Sequence, residues 1–269
     1  MSGAGQSQID WRPVEREIEA VAAAGGLAGV AVIAPDGTEA AWHGDHRFRA
    51  ASTIKIAVML EVFRQVERGQ LSRNDLVTLT DDDRVPGSGV LLHLHAGLPL
   101  TVDDLLYLMI SISDNTATNL LIDLTGLDGI NRTLDELGLV ESRMNRRMLG
   151  RTPGDDEPEN WIVPAEMARL MHLIVTDQAA SPDAGAAMRD LLRTQQCQTR
   201  IARHLPDGML WGSKTGSLPG VVNDVGFIIT DRGTLTIACF ISGLDELAGE
   251  AAIGAITKAA LEASAPRSA

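Results

Sequence analysis

The sequence predicts an α/β protein: an antiparallel sheet formed by both chain ends and flanked by helices, with an all-α domain inserted between them. Three observations lead there. Strand-like runs joined by tight turns lie near the two ends, and residues 52–195 read almost wholly as helices. At 269 residues, 45% hydrophobic and 22% charged, the chain can also bury a sizeable core. The expected organisation is an α/β domain from residues 11–51 and 196–269, an inserted helical domain over 52–195, and a flexible arm at 1–10.

A first helix is expected over 13–23, opened by Pro13 and stopped at Gly25-Gly26. Residues 29–33 and 38–42 flank Asp36-Gly37, a pair suited to a tight hairpin turn. Residues 54–66 are apolar with helical period and stop at Gly69. Thr101-Val-Asp-Asp104 is a capping signature ahead of a helix at 105–110. Helices at 115–124 and 130–137 follow, and Met167, Leu170, Met171 and Ile174 form another apolar stripe. Residues 146–160, with Pro153, Gly154 and Pro158, read as irregular. Strands at 225–230 and 235–242 enclose a turn at 231–233, and an Ala-rich helix spans 249–263. A ligand site is expected at the seam between sheet and helices.

The 23 Lys+Arg against 36 Asp+Glu give a net charge of −13, with no basic patch, which argues against nucleic acid and anionic membranes as partners. Cys197 and Cys239 make neither a disulfide framework nor a metal ribbon and read as free thiols. No export leader is expected from the first residues, and no apolar run is long enough to cross a membrane. The expectation is a cytoplasmic protein, or a periplasmic or secreted one if a leader was removed. It acts on a small molecule as a monomer, with no metal or cofactor.

Only three lysines, Lys55, Lys214 and Lys258, stand against twenty arginines. An ammonium can lose its proton at a shifted pKa and a guanidinium cannot, so lysine in such a chain points to acid–base chemistry. Ser52-Thr-Ile-Lys55 puts a hydroxyl and an amine three residues apart on one helix face, near free N–H groups that favour an oxyanion. Lys55 would need a lowered pKa, from burial or a second cation, to take the hydroxyl proton. Ser113-Asp-Asn115 offers a relay hydroxyl and a substrate-holding amide. Lys214-Thr215-Gly216 offers the second cation on a strand edge, and Gly216 lets a substrate lie close to the backbone. All three arising by accident has odds on the order of one in ten thousand.

S-x-x-K, S-D-N and K-T-G in this order resemble the three signatures of penicillin-binding proteins and class A serine β-lactamases, and the likeness spans nearly the whole chain. The resemblance implies that Ser52 is the acylated nucleophile and Lys55 its general base. Ser113 passes the proton to the leaving nitrogen, Asn115 and Thr215 bind substrate, and Lys214 supports Ser113 and the substrate carboxylate. The N–H groups of Ser52 and Ser217 form the oxyanion hole. Some members hold that carboxylate with an arginine about fourteen residues before K-T-G, where Arg200 stands.

One part of the class A pattern is missing. A Glu followed four residues later by Asn activates the deacylating water in that class. A gap-free count back from Pro164 puts those places on Arg147 and Arg151, neither of them a base. Glu157-Pro-Glu-Asn160 imitates the motif in letters, one residue short. Acylation is therefore expected, with slow deacylation, and two substrate readings stand: a β-lactamase, or a penicillin-binding D-peptidase, esterase or amidase. A metal-dependent hydrolase fails on its ligands, because His93-Leu-His95 is followed by Gly97 where a carboxylate is needed. A non-catalytic binding module would have no reason to keep Lys55 and Lys214.

Overall fold

A computed structural model describes residues 9–265; residues 1–8, most of the expected arm, and 266–269 lie outside the described residues. In chain order the elements are α1 (Arg12–Ala23), β1 (Leu27–Ile33), β2 (Glu39–Trp42), β3 (Phe48–Arg49), α2 (Lys55–Glu67), β4 (Leu76–Thr78) and β5 (Pro99–Thr101). Then come α3 (Val102–Ser111), α4 (Asn115–Thr125), α5 (Leu127–Glu136), β6 (Trp161–Ile162), α6 (Pro164–Val175) and α7 (Pro182–Arg193). The chain closes with β7 (Trp211–Leu218), β8 (Val221–Thr230), β9 (Gly233–Ser242) and α8 (Glu246–Ala263).

Both chain ends build the main sheet, as the sequence predicts. Its order is β2-β1-β9-β8-β7, every pair antiparallel. Both faces are covered, which explains why β1, β8 and β9 read as nearly continuous apolar runs. On one face Val30, Val32, Ile237, Cys239 and Ile241 pack with Val14, Ile18 and Val21 of α1 and with Ile253 and Ile256 of α8. On the other, Ala31, Val225, Phe227, Ala238 and Phe240 join one core with the apolar residues of α2 to α7. The stripe Met167, Leu170, Met171 and Ile174 of α6 lies in this shared core with every member fully buried. Each such side chain contributes about 1.5–3 kcal/mol. The helical lobe and the sheet thus share one apolar interior.

Thr101 caps α3 as expected: its Oγ1 accepts from the Asp104 N–H at 3.0 Å, and the Asp104 carboxylate accepts from the Thr101 N–H at 2.9 Å. Strand β8 begins at Val221, four residues earlier than its pattern suggests, because buried Asn223 and Asp224 sit inside it. Their polarity reads as a turn, yet Asn223 Nδ2 donates to Arg49 O at 2.9 Å and Asp224 Oδ2 accepts from the Ile201 N–H at 3.2 Å. The pairs β3–β6 and β4–β5 are two and three residues long, too short to show periodicity. Among the described residues no helix is long and apolar enough to cross a membrane.

Candidate active site

Ser52 lies in a 3-10 turn, Ala51–Ile54, one turn ahead of α2 and not within it. Spacing still stacks it over Lys55, the first residue of the helix. Ala51 (φ 46°) and Ser113 (φ 59°) both adopt the left-handed backbone region that non-glycine residues avoid. Strain of about 1–3 kcal/mol each is held there by the surrounding packing, beside the two hydroxyls that matter most.

Lys55 is fully buried in the heart of the molecule. Its Nζ meets Ser113 O at 2.8 Å, Asn115 Oδ1 at 2.9 Å and Ser113 Oγ at 3.1 Å. The Asn115 amide orientation follows from its other end, where Nδ2 donates to Pro86 O at 3.0 Å. Two of the three groups around Nζ are therefore acceptors only, and a neutral amine has two N–H bonds to give them. Its lone pair is left for a hydroxyl. Burial first, then the charge of Lys214, pushes Lys55 well below the ordinary lysine value, with Asp114 acting the other way.

Asp114 organises the motif without entering the cleft. It caps α4 through the Ala117 N–H at 2.9 Å, and its other oxygen takes the N–H groups of Val90 and Leu91 at 2.7 and 2.9 Å. The loop before α3 is thereby tied to the S-D-N turn, and the Asn115 N–H bonds Ser88 O at 3.0 Å.

Strand β7 is the sheet edge nearest Ser52, and its period of two puts Lys214 and Gly216 on one face. A Cβ at Gly216 would stand 2.9 Å from Ser52 N and 3.0 Å from Ala51 Cβ, so only glycine lets the strand approach this turn. Lys214 is also fully buried, and burial lowers it to about 7, with Asp224 opposing and Arg200 adding to the drop. One expectation needs correcting here: Lys214 Nζ donates to Thr215 O at 2.8 Å and makes no hydrogen bond to Ser113.

Arg200 needs a correction too. It is 3% exposed and does not line the cleft. Its guanidinium runs behind β7, donating to Gly216 O, Asn223 O and Ser217 Oγ at 3.0, 2.9 and 2.6 Å and pairing with Glu246 and Glu250. Its geometry suits it to position Ser217, which does line the cleft.

The cleft, about 320 Å³, brings together Ser52, Asn115 and Ser217 with Ser88 and residues 146 and 148–152. Thr215 is half-buried on the same strand, outside that lining. Loop 146–160 is closed at its base by Asn160, whose Oδ1 accepts from the N–H groups of Asn145 and Arg146. Its first turn is clamped by Asn119, which donates to Met148 O at 2.9 Å and accepts from the Met148 N–H at 2.8 Å. Gly150 (φ 69°) lets the loop pass Pro86: a Cβ there would fall 2.1 Å from Pro86 O.

This loop overturns the gap-free count. Arg147 turns away to Asp123, 2.8 Å distant, and Met148 faces the cleft instead. Glu157 is removed as a base. Its carboxylate is held by Arg151 and the Gly154 N–H, which pull it down to about 2, and it lies outside the cleft lining. The sequence reading missed Met148, Asn119 and Arg146. Only Asn119 left a signal, standing on α4 about one turn after Asn115.

Comparison with known proteins now bears on these residues. The model of the β-lactamase enzyme family matches residues 13–264. The chain belongs to this family. Among solved β-lactamases, the crystal structure from Sphaerobacter thermophilus superposes with a TM-score of 0.93 at 51% identity, covering 95% of this chain and 98% of that one. A point mutant of PBP-A, solved as an acyl-enzyme complex with penicillin G, gives a TM-score of 0.85 at 27% identity, over 94% and 96% of the two chains. β-Lactamase BRO-1 of Moraxella catarrhalis is 25% identical over 197 residues, 70% of this chain and 61% of its own length.

Proposed function

We propose that this β-lactamase family member is a serine hydrolase that opens β-lactam amides through a covalent Ser52 ester and releases the acyl group slowly. The observation that carries the reading is the buried Lys55, with its amine between Ser113 and Asn115 and one turn from Ser52. Neutral Lys55 takes the Ser52 proton, Ser52 Oγ attacks the lactam carbonyl, and the developing oxyanion is met by the N–H groups of Ser52 and Ser217. The Ser113 hydroxyl, beside Lys55, hands the proton to the leaving nitrogen. Asn115 and Thr215 hold the substrate, Lys214 meets its carboxylate, and Arg200 acts through Ser217. A neighbour at 27% identity holds a penicillin G adduct in the same fold, which supports the acylation half.

Slow release follows from the loop. Among the described residues lining the cleft there is no Asp or Glu to activate water. This favours a second reading alongside the first: a penicillin-binding D-peptidase, esterase or amidase that β-lactams trap. Intact mass after incubation with benzylpenicillin tests both. A lasting increase of one penicillin, absent in Ser52→Ala, is expected; no adduct and no hydrolysis would sink both.

The Lys214 ammonium predicts a pH dependence. With its pKa lowered to about 7 it is charged below that value and loses its proton above it. The penicillin concentration that half-saturates acylation is expected to rise as pH climbs through about 7. Lys214→Arg, charged throughout, should flatten that rise. A flat profile in the unsubstituted protein would contradict the role given to Lys214.

A further inference from the structure

We infer that Arg146 and Arg151 form a second anion subsite, so that the preferred substrate carries a carboxylate on the acyl side of its scissile amide. This deepens the acyl-serine reading and rests on it. The cleft has a sheet-side wall, Ser217 to Pro219, and a helical-side wall made by the loop. The first stands beside Lys214, the group assigned to the lactam carboxylate. The second includes Arg146 and Arg151 and no Asp or Glu, in a chain whose net charge is −13.

Arg146 is short of a counter-charge, and the partner of Arg151 is exposed to solvent. Arg146 shares the single carboxylate of Glu159 with Arg49, at 2.5 and 2.8 Å, which leaves one positive charge over. Its side chain is only 12% exposed, and its buried Nε–H has no acceptor. Arg151 does pair with Glu157, at 2.5 Å, but the two side chains are 57% and 38% exposed. Water and salt screen such a pair, so an incoming carboxylate can share or replace it. Arg200, by contrast, is answered by Glu246 and Glu250. A planar carboxylate is the ligand two guanidinium forks recognise best.

Benzylpenicillin and carbenicillin provide the test, since they differ only by a carboxylate on the acyl side chain. Second-order acylation constants, read by intact mass, are expected to favour carbenicillin by at least about tenfold at low salt, as one charge-assisted hydrogen bond would. The advantage should shrink as salt is added and vanish in Arg146→Gln and in Arg151→Gln. Arg146 also holds Glu159; should Arg146→Gln fail to fold, the exposed Arg151→Gln and Arg151→Glu carry the test, the latter favouring benzylpenicillin. Equal rates in the unsubstituted protein, or a preference that survives these changes, overturn the subsite and leave Ser52 acylation standing. If neither penicillin forms an adduct, the acyl-serine reading falls and takes the subsite with it.

Discussion

Replacing Lys55 by arginine is expected to slow acylation of Ser52 by roughly 10²- to 10⁴-fold, the range a positioned general base contributes. The substitution keeps a long basic side chain in place but removes the one thing the mechanism needs from it, a lone pair. Nζ is surrounded by Ser113 O, Asn115 Oδ1 and the Ser113 hydroxyl, and burial favours its neutral form. A neutral amine satisfies the two acceptors and still offers a lone pair. A guanidinium offers none at any working pH. Time-resolved intact mass with benzylpenicillin reads the effect, and thermal unfolding checks that the larger head has not melted the core. Acylation within a few-fold of the unsubstituted rate in a folded Lys55→Arg protein would remove Lys55 as the base.

The second large effect is a gain. Met148→Glu is expected to speed release of the acyl group by about 10²-fold or more, because it places a carboxylate where the cleft has none. Met148 is 8% exposed and its backbone is held at both polar groups by Asn119, so a side chain of similar length starts from a fixed position. Burial would raise the new carboxyl and the neighbouring Arg146 and Arg151 would lower it, so it is expected to stay ionised and able to accept a proton from water. The expected record is an adduct that forms as before and then disappears, with continuous hydrolysis of a chromogenic cephalosporin. Met148→Gln, equal in length and without basicity, should show neither. If the Met148→Glu adduct lasts as long as the original, the missing carboxylate does not explain slow release.

The cleft thus divides the reaction between its two walls. Acylation depends on Ser52, Lys55 and Ser113, held by a strained turn, a buried helix start and the edge strand. Release, in the proposed reading, depends on a loop that lines the cleft with Met148, Arg146 and Arg151 and no Asp or Glu. A protein of this kind would be found first as a penicillin-binding species, and its rate of turnover would be set by that loop.

Local sequence alone was enough to single out Ser52, Lys55, Ser113, Asn115 and Lys214 as candidates, because each sits in a short motif tied to a helix start, a turn or a strand edge. It was enough for the main sheet as well, since strands buried on both faces must be apolar almost throughout. The start of β8 was hidden because Asn223 and Asp224 bond across the fold to Arg49 and Ile201, partners that no local window contains. Arg200 looked like a ligand for substrate until packing showed it behind β7, its donors taken by the strand itself. Which residue of the loop faces the cleft was decided by tertiary contacts alone. A loop has no period, so counting along it cannot say which side chain turns inward. The clamp of Asn119 on Met148 and the passage of Gly150 over Pro86 settle that, and both are contacts between segments far apart in the chain.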